Sequence, residues 1–247
     1  MARLRPRRLG LWVLGGVAAL AVLAAGGTWI YIHVIEGPAP APLSLNSSIS
    51  ASSGSASSGS ASSGSASSGS ASAAGVAGTW RVTSGSIVGY RVDEVLAGQN
   101  SVAVGRTSSI NGSLTISGTT VTAASFTVQM ATIHSDQSQR DAQFNGRIMD
   151  TAAYPTGALR LTSPIALGGV PASYVIKTYE AAGNLTLHGR TRPVTFTLRA
   201  ERTTAGIEVS GSIPVLFANW GIANPSFGSF VTTQNHGQLE FLVKLAR

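Results

Sequence analysis

Two short runs of alternating apolar and polar residues, separated by a turn, mark the centre of the C-terminal half of the sequence. Leu185 and Leu187 fall on one side of the first run, and residues 194–198 repeat the alternation in the second. A period of two is typical of a strand with one apolar face, so the pattern predicts a β-hairpin. Gly189 suits a turn with positive φ, and Pro193 suits the first residue of a strand, where no amide donor is needed.

One hairpin cannot bury its apolar face, so the pattern requires a larger sheet. Residues 138–149 predict a short helix. Further segments with strand character occupy residues 79–82, 86–92, 102–107, 111–116, 121–132, 159–163, 174–187, 194–201, 207–215 and 239–245. With residues 79–92 counted as a first strand or pair of strands, the set gives about eight strands without regularly alternating helices, which indicates an all-β antiparallel barrel or sandwich. A closed eight-stranded barrel is wide enough to hold one small or elongated ligand.

The N-terminal region has a different pattern. Residues 1–8 are basic, and residues 9–32 contain no charged side chain. As a helix this stretch would be about 36 Å long, enough to cross a hydrocarbon layer of roughly 30 Å. The arginines place residues 1–8 in the cytoplasm by the positive-inside rule, so we expect a single-pass cell-membrane protein with an extracytoplasmic C-terminal domain. A signal peptide cleaved near Ala24 and Ala25 is the alternative, and it exports the same domain.

Between this span and the strands, residues 33–77 form a linker rich in proline, serine, alanine and glycine. Its repeats of the sequence SASSG have no apolar groups to offset the entropy lost on ordering, so we expect disorder. The folded domain is therefore expected at residues 78–247. Removing the linker up to Ala77 should leave the melting temperature of that domain unchanged.

Composition removes several classes of function. The chain has no cysteine, so it can form neither disulfides nor thiolate metal sites. The net charge of +7 includes four arginines within residues 1–8, and the other cations are scattered, which argues against nucleic-acid binding. The four histidines form no pair with metal-ligand spacing, and no GxSxG motif occurs. We therefore predict no metal, no cofactor and no catalysis.

Several short motifs in residues 78–247 resemble those of the YceI-like family of bacterial exported, lipocalin-like proteins. They are Gly78-Thr79-Trp80, Val104-Gly105-Arg106-Thr107, Ser135-Asp136 with Arg140-Asp141, Tyr154-Pro155, Leu185-Thr186-Leu187-His188-Gly189 and Arg192-Pro193-Val194. The resemblance implies an extended antiparallel barrel with an isoprenoid or fatty amphiphile in its interior. One segment departs from the family: many members have Arg-x-Asp-Phe-Gly where this chain has residues 217–221, Phe-Ala-Asn-Trp-Gly.

The candidate ligand-binding residues are the apolar members of the alternating runs. They are Phe126, Val128, Met130, Leu185, Leu187, Val194, Phe196 and Leu198. In a filled barrel the same residues would simply form the core, and the pattern fits both arrangements. Arg140 is a candidate for holding a polar head group, because a guanidinium suits a phosphate. The alternative is a structural ion pair with Asp141 at the barrel rim.

The sequence thus predicts a membrane-tethered extracytoplasmic protein that holds an isoprenoid or another long-chain amphiphile in a barrel lumen. The alternative is a cell-surface interaction module with a filled barrel core and no small-molecule ligand. An empty apolar tunnel would favour the carrier, whereas a lumen packed with side chains would favour the interaction module.

Overall fold

A computed structural model describes residues 39–45, 75–96, 98–228 and 231–247. The predicted basic tip, the predicted membrane span and most of the predicted linker lie outside these residues. Within the described ranges, every helix is too short or too polar to cross a bilayer.

Twelve strands make up the sheet of the described chain. They are β1 (Gly78–Val82), β2 (Ile87–Leu96), β3 (Gln99–Thr107), β4 (Ile110–Ser117), β5 (Thr120–Gln129), β6 (Thr156–Leu161), β7 (Ile165–Ala166), β8 (Lys177–Leu187), β9 (Arg190–Arg202), β10 (Ile207–Leu216), β11 (Val231–Thr233) and β12 (His236–Ala246). All ladder pairings between these strands are antiparallel.

The sheet closes on itself. Neighbours follow the order β1, β4, β5, β6, β8, β9, β10 and β12, and β12 pairs again with β1 through Arg81 opposite Ala246. These eight strands form a closed antiparallel barrel, which confirms the predicted all-β fold. Beyond the residues that pair with β1, β12 pairs with β2. β2 in turn pairs with β3 and β11, so the barrel wall extends further on this side.

The predicted hairpin is formed by β8 and β9. Leu187 pairs with Arg190, so the turn consists of His188 and Gly189, with φ of 47° and 70°. The prediction that Pro193 begins its strand is wrong. Pro193 lies inside β9, opposite Asn184. It is tolerated because residues 190–197 of β9 pair only with β8, which leaves the other edge of the strand without a ladder.

The predicted helix at residues 138–149 is present as α1 (Ser138–Gln143) followed by a π-helical turn, Phe144–Ile148. Two predicted strands are shorter than expected. The strand predicted at 121–132 ends at Gln129, because Met130–Thr132 form a 3-10 turn whose first amide donates to the carbonyl of Pro155. The strand predicted at 174–187 begins only at Lys177, since Tyr174 has a left-handed backbone with φ of 61°.

Inward-facing side chains form two apolar clusters, one towards each end of the barrel. One is built around Phe144, Leu187, Phe196 and Trp220, and the other around Trp80, Leu114, Val243 and Leu245. The Trp80 indole donates to the carbonyl of Val76 at 2.8 Å, which closes the second end. Residues of both clusters line two cavities inside the protein, and these cavities form the candidate site.

Candidate ligand-binding site

A narrow cavity with a volume of about 220 Å³ occupies the barrel interior next to the Trp80 end. Its wall is almost entirely apolar and is supplied by nearly every strand of the ring. Tyr179 contributes a polar group to this wall. Its hydroxyl is buried without a hydrogen-bond partner among the described residues, and burial raises its pKa, so the group remains a neutral donor.

Most of the ligand-binding residues predicted from the sequence line this narrow cavity. They are Phe126, Val128, Met130, Leu185, Leu187, Phe196 and Leu198. Val194 does not line it; this side chain is partly buried against the cluster around Phe144. Phe126, Val128 and Leu198 are only half-buried although they point inwards. Accessible surface on inward-facing side chains indicates a lumen that side chains do not fill.

A second, wide cavity of about 500 Å³ adjoins the first at the opposite end of the barrel. Its wall comes from β2, α1, the π-helical turn and the chain around β11. Five wall residues are shared by the two cavities: Gly89, Met130, Ile133, Leu187 and Leu239. The shared wall makes the two cavities neighbouring compartments of one interior.

The wall of the wide cavity contains three charged residues: Glu94 on β2, Arg140 on α1 and Arg147 on the π-helical turn. Arg140, on α1, donates to Glu94 at 3.0 Å and also pairs with Asp136. Burial lowers the pKa of Arg140, but attraction to Glu94 and Asp136 outweighs it and raises the pKa overall, so the guanidinium stays charged. Glu94 is itself buried, at 8% exposed, so the pair lies inside the protein rather than at its surface.

The aromatic rings next to this ion pair complete the polar end of the wide cavity. Tyr90 stacks on Phe144 with the ring centres 5.1 Å apart. Burial raises the pKa of Tyr90 far above its ordinary value, and the opposing effect of Arg140 is smaller. The phenol therefore stays protonated beside a charged arginine–glutamate pair.

The alternative predicted for Arg140 was an ion pair with Asp141, and this choice of partner is wrong. Among the described residues Arg140 pairs with Glu94 and Asp136, whereas Asp141 turns back towards the loop before α1. Asp141 accepts hydrogen bonds from the amide and hydroxyl of Ser135 at 2.8 and 2.7 Å, and His134 Nδ1 lies 3.0 Å away. The sequence placed the two residues side by side, but their helical positions direct them to different partners.

A second arginine, Arg147, lies on the π-helical turn and also lines the wide cavity. Its side chain donates to Gln143 and to the carbonyls of Asn224 and Pro225, at 3.1, 3.3 and 2.9 Å. It therefore joins the helix to the chain that precedes β11. Arg147 was not predicted from the sequence, because nothing in its neighbourhood signals a partner almost eighty positions away.

The segment that departs from the family pattern forms a one-turn helix, α2 (Phe217–Trp220), below the β8–β9 turn. Trp220 is only 3% exposed, and its indole donates to the carbonyl of Leu185 at 3.3 Å. His188 lies between Trp220 and Tyr154: its Nδ1 is 3.4 Å from the Trp220 carbonyl, and its ring packs edge-on against Tyr154. A buried tryptophan thus occupies this end of the barrel, and His188 is a turn residue.

Two further groups of wall residues were missed from the sequence. Inward-facing Leu239, Phe241, Val243 and Leu245 on β12 line the narrow cavity and do alternate, so a period-two search could have found them. Glu94 carries no such signal, because only the extension of β2 beyond the ring brings it to α1. Within the described ranges, His, Asp and Glu side chains form no cluster of three that could hold a metal ion.

Comparison with known proteins agrees with this architecture. Residues 80–245 match the family model described as the YceI-like domain. No curated protein matches the sequence. Two solved structures are similar: a polyisoprenoid binding domain from Saccharophagus degradans, with a TM-score of 0.56 and 14% identity over 68% of this chain and 97% of that one, and BcnA of Burkholderia cenocepacia, with a TM-score of 0.52 and 16% identity over 67% and 99%. The family match spans more than half of the chain, so the protein belongs to the YceI-like family.

Proposed function

We propose that the protein is a non-catalytic carrier that holds an isoprenoid or another long-chain amphiphile inside its barrel. The observation that carries this proposal is the pair of adjoining cavities, one almost entirely apolar and one with a polar end. A filled barrel, expected of an interaction module, would bury its inward-facing side chains, whereas Phe126 and Val128 are only half-buried. The Saccharophagus degradans domain, described as polyisoprenoid binding, supports the same class of ligand.

The apolar chain of the ligand occupies the narrow cavity, and its polar head lies in the wide cavity beside Arg140 and Glu94. An amphiphile bound in this direction buries its hydrocarbon against apolar walls and keeps its head near groups that can hydrogen-bond. The charge of Arg140 is already balanced by Glu94 and Asp136. The cavity therefore favours an uncharged polar head over a phosphate, which would meet two carboxylates near the same guanidinium.

The barrel works outside the cytoplasm, attached to the membrane by residues 9–32. The uncharged length of that segment and the arginines before it support this location. A protease added to intact cells should then remove the barrel while an N-terminal tag stays protected. Protection of the barrel until the cells are lysed would contradict the extracytoplasmic location.

Ligand content of the purified protein tests the carrier function directly. The full chain is purified in detergent and extracted with organic solvent, and the extract is analysed by mass spectrometry against that of an unrelated single-span protein. We expect a polyprenyl or long acyl compound enriched only with the carrier. The extracted protein should then rebind a polyprenol in preference to the corresponding polyprenyl phosphate. An extract without such a compound, together with no uptake of either probe, would refute the function; a preference for the phosphate would refute only the uncharged head.

A further inference from the structure

Residues 39–45 lie against the outer face of the barrel, although they belong to the segment predicted as a linker. Residues 39–42 are exposed, Leu43 and Ser44 are half-buried, and Leu45 is only 1% exposed. A leucine buried to this extent has left water for a packed environment, which a free linker does not provide. The segment therefore forms part of the folded unit, contrary to the disorder expected for the whole linker.

The register of three strands brings charged side chains together on the surface beneath the segment. Glu240 on β12 lies opposite Gly89 on β2, and Gly89 lies opposite Arg106 on β3. Because Gly89 has no side chain, the two long side chains can meet above it: Arg106 approaches Glu240 to 3.6 Å, and Arg91 donates to Glu240 at 2.6 Å. Glu240 is only 4% exposed although it points away from the lumen.

The two arginines connect this buried carboxylate to the segment. Arg91 donates to the carbonyl of Pro40 at 2.5 Å, and Arg106 donates to the carbonyl of Ala41. Two guanidinium groups face one carboxylate, so donors remain for two consecutive backbone carbonyls. Charge-assisted hydrogen bonds of this kind are stronger than neutral ones, and here they lie beside a group shielded from water.

The chain is attached to the barrel again just before β1. Val76 is 2% exposed, and its carbonyl accepts the hydrogen bond from the Trp80 indole. Arg247 donates to the carbonyl of Ala77 at 2.9 Å and also to that of Gly75. The sequence between the two attachments, residues 46–74, contains the SASSG repeats.

We propose that residues 39–45 are a strap that docks on the Arg91–Glu240–Arg106 cluster, so that the SASSG repeats, which follow the strap in the sequence, are not part of the connection between the predicted membrane span and the barrel. The connection from the predicted span to the barrel is then residues 33–38, which reach about 21 Å when fully extended. A free linker over residues 33–77 would instead have a root-mean-square reach of about 35–40 Å and could extend much further. The strap thus holds the barrel close to the bilayer surface, and this last consequence rests on the proposed membrane anchor.

Spin labels on the full chain test the strap itself. The sequence contains no cysteine, so Pro42→Cys and Asp93→Cys introduce unique labelling sites on the exposed part of the strap and on β2. Pulsed electron resonance should give a single narrow distance distribution for this pair. The matched control pair, Ser62→Cys with Asp93→Cys, probes the repeats and should give a broad one. Equally broad distributions for both pairs would overturn the strap.

A release variant checks that the buried leucine holds the strap. Leu45→Asp should broaden the distribution between positions 42 and 93, while circular dichroism and the control pair stay unchanged. An unchanged narrow distribution in this variant would overturn the assignment of Leu45 as the anchor of the strap.

Lengthening the repeat tests whether the strap sets the distance between the barrel and the bilayer. A second copy of residues 51–70 is inserted after residue 70, and the protein is reconstituted into vesicles that carry an acceptor dye on the lipid head group. With the strap docked, energy transfer from a dye on the barrel should be the same for both lengths. A clear decrease with the longer repeat would overturn the proposal. Failure to remain in the vesicles would refute the anchor instead, and neither readout depends on ligand binding.

Discussion

Single residues set the geometry of the polar end of the barrel. Adjacent Arg140 and Asp141 look like one ion pair in sequence, yet each binds a different part of the protein. Desolvation raises the pKa of Asp141, but hydrogen bonds from Ser135 and His134 outweigh it and hold the pKa below its ordinary value. The charged form of Asp141 is therefore the one that stabilises the loop before α1.

Asp141→Asn should lower the free energy of unfolding by roughly 1–2 kcal/mol near pH 7, because Ser135 loses a charged acceptor. A group whose folded pKa is depressed stabilises the protein above its unfolded pKa and loses that effect as the pH falls through the folded value. The difference between variant and wild type should thus be constant at neutral pH and shrink below about pH 4. Urea denaturation at several pH values measures it.

Asp93→Asn is the matched control, since Asp93 is exposed on β2. It should change neither the stability nor its dependence on pH. An Asp141→Asn difference that persists unchanged at pH 2 would mean that packing, rather than the charge, is responsible.

At the scale of elements, alternation identified every strand of the ring, because each has one face in the lumen and one in solvent. Alternation did not predict the features of the strands that depend on tertiary contacts. β5 ends where Met130 begins a 3-10 turn, and Pro193 is accepted inside β9 because residues 190–197 pair on one edge only. The buried position of Leu45 was also not predicted, since Leu43 and Leu45 beside a serine-rich repeat are too few to give a periodic signal.

The turns offer a test of how tightly these elements are fitted together. Gly189 and Gly118 both have left-handed backbones, with φ of 70° and 57°. A methyl group on Gly189 would lie 2.5 Å from the ring of Tyr154, whereas one on Gly118 would meet nothing within 4 Å. Gly118→Ala should therefore cost only the backbone strain, about 1 kcal/mol, and Gly189→Ala should cost clearly more.

Thermal melts of the two glycine variants measure this difference directly. Because the backbone strain is similar at the two turns, the excess for Gly189→Ala reports the contact between the β8–β9 turn and Tyr154. Equal costs would show that Tyr154 moves aside freely and that this turn is not held against its neighbour.

At the scale of the whole molecule, the barrel and part of its lumen-facing residues followed from the sequence, but the state of the lumen did not. An inward apolar stripe looks the same in a packed core and in a ligand wall, since both require the same alternation. The wide cavity arises from features that no local pattern encodes: the extension of β2 beyond the ring, and the helical segment that covers the space it opens. Adding volume to the lumen separates the two interpretations.

Val128→Phe and Leu187→Phe place a larger side chain in the wall, the second at the boundary that both cavities share. In a packed core, the added atoms would force strain and lower the stability by about 1–3 kcal/mol. In an open lumen each ring enters empty space, so the ligand-free protein should melt within about 0.5 kcal/mol of the wild type. The same variants should lose the bound amphiphile, and with it the extra stability that a ligand confers on the folded state.

Thr195→Phe provides the matched control, because Thr195 lies next to Phe196 on β9 but is exposed on the outer surface. This variant should keep both its ligand and the stabilisation that the ligand provides. Melting curves before and after organic extraction, with mass spectrometry of the extracts, give both quantities for all four proteins. Early melting of the two lumen variants in the extracted state, with no amphiphile in the wild-type extract, would show a filled core and refute the carrier; retention of ligand by both variants would place the ligand elsewhere than between Val128 and Leu187.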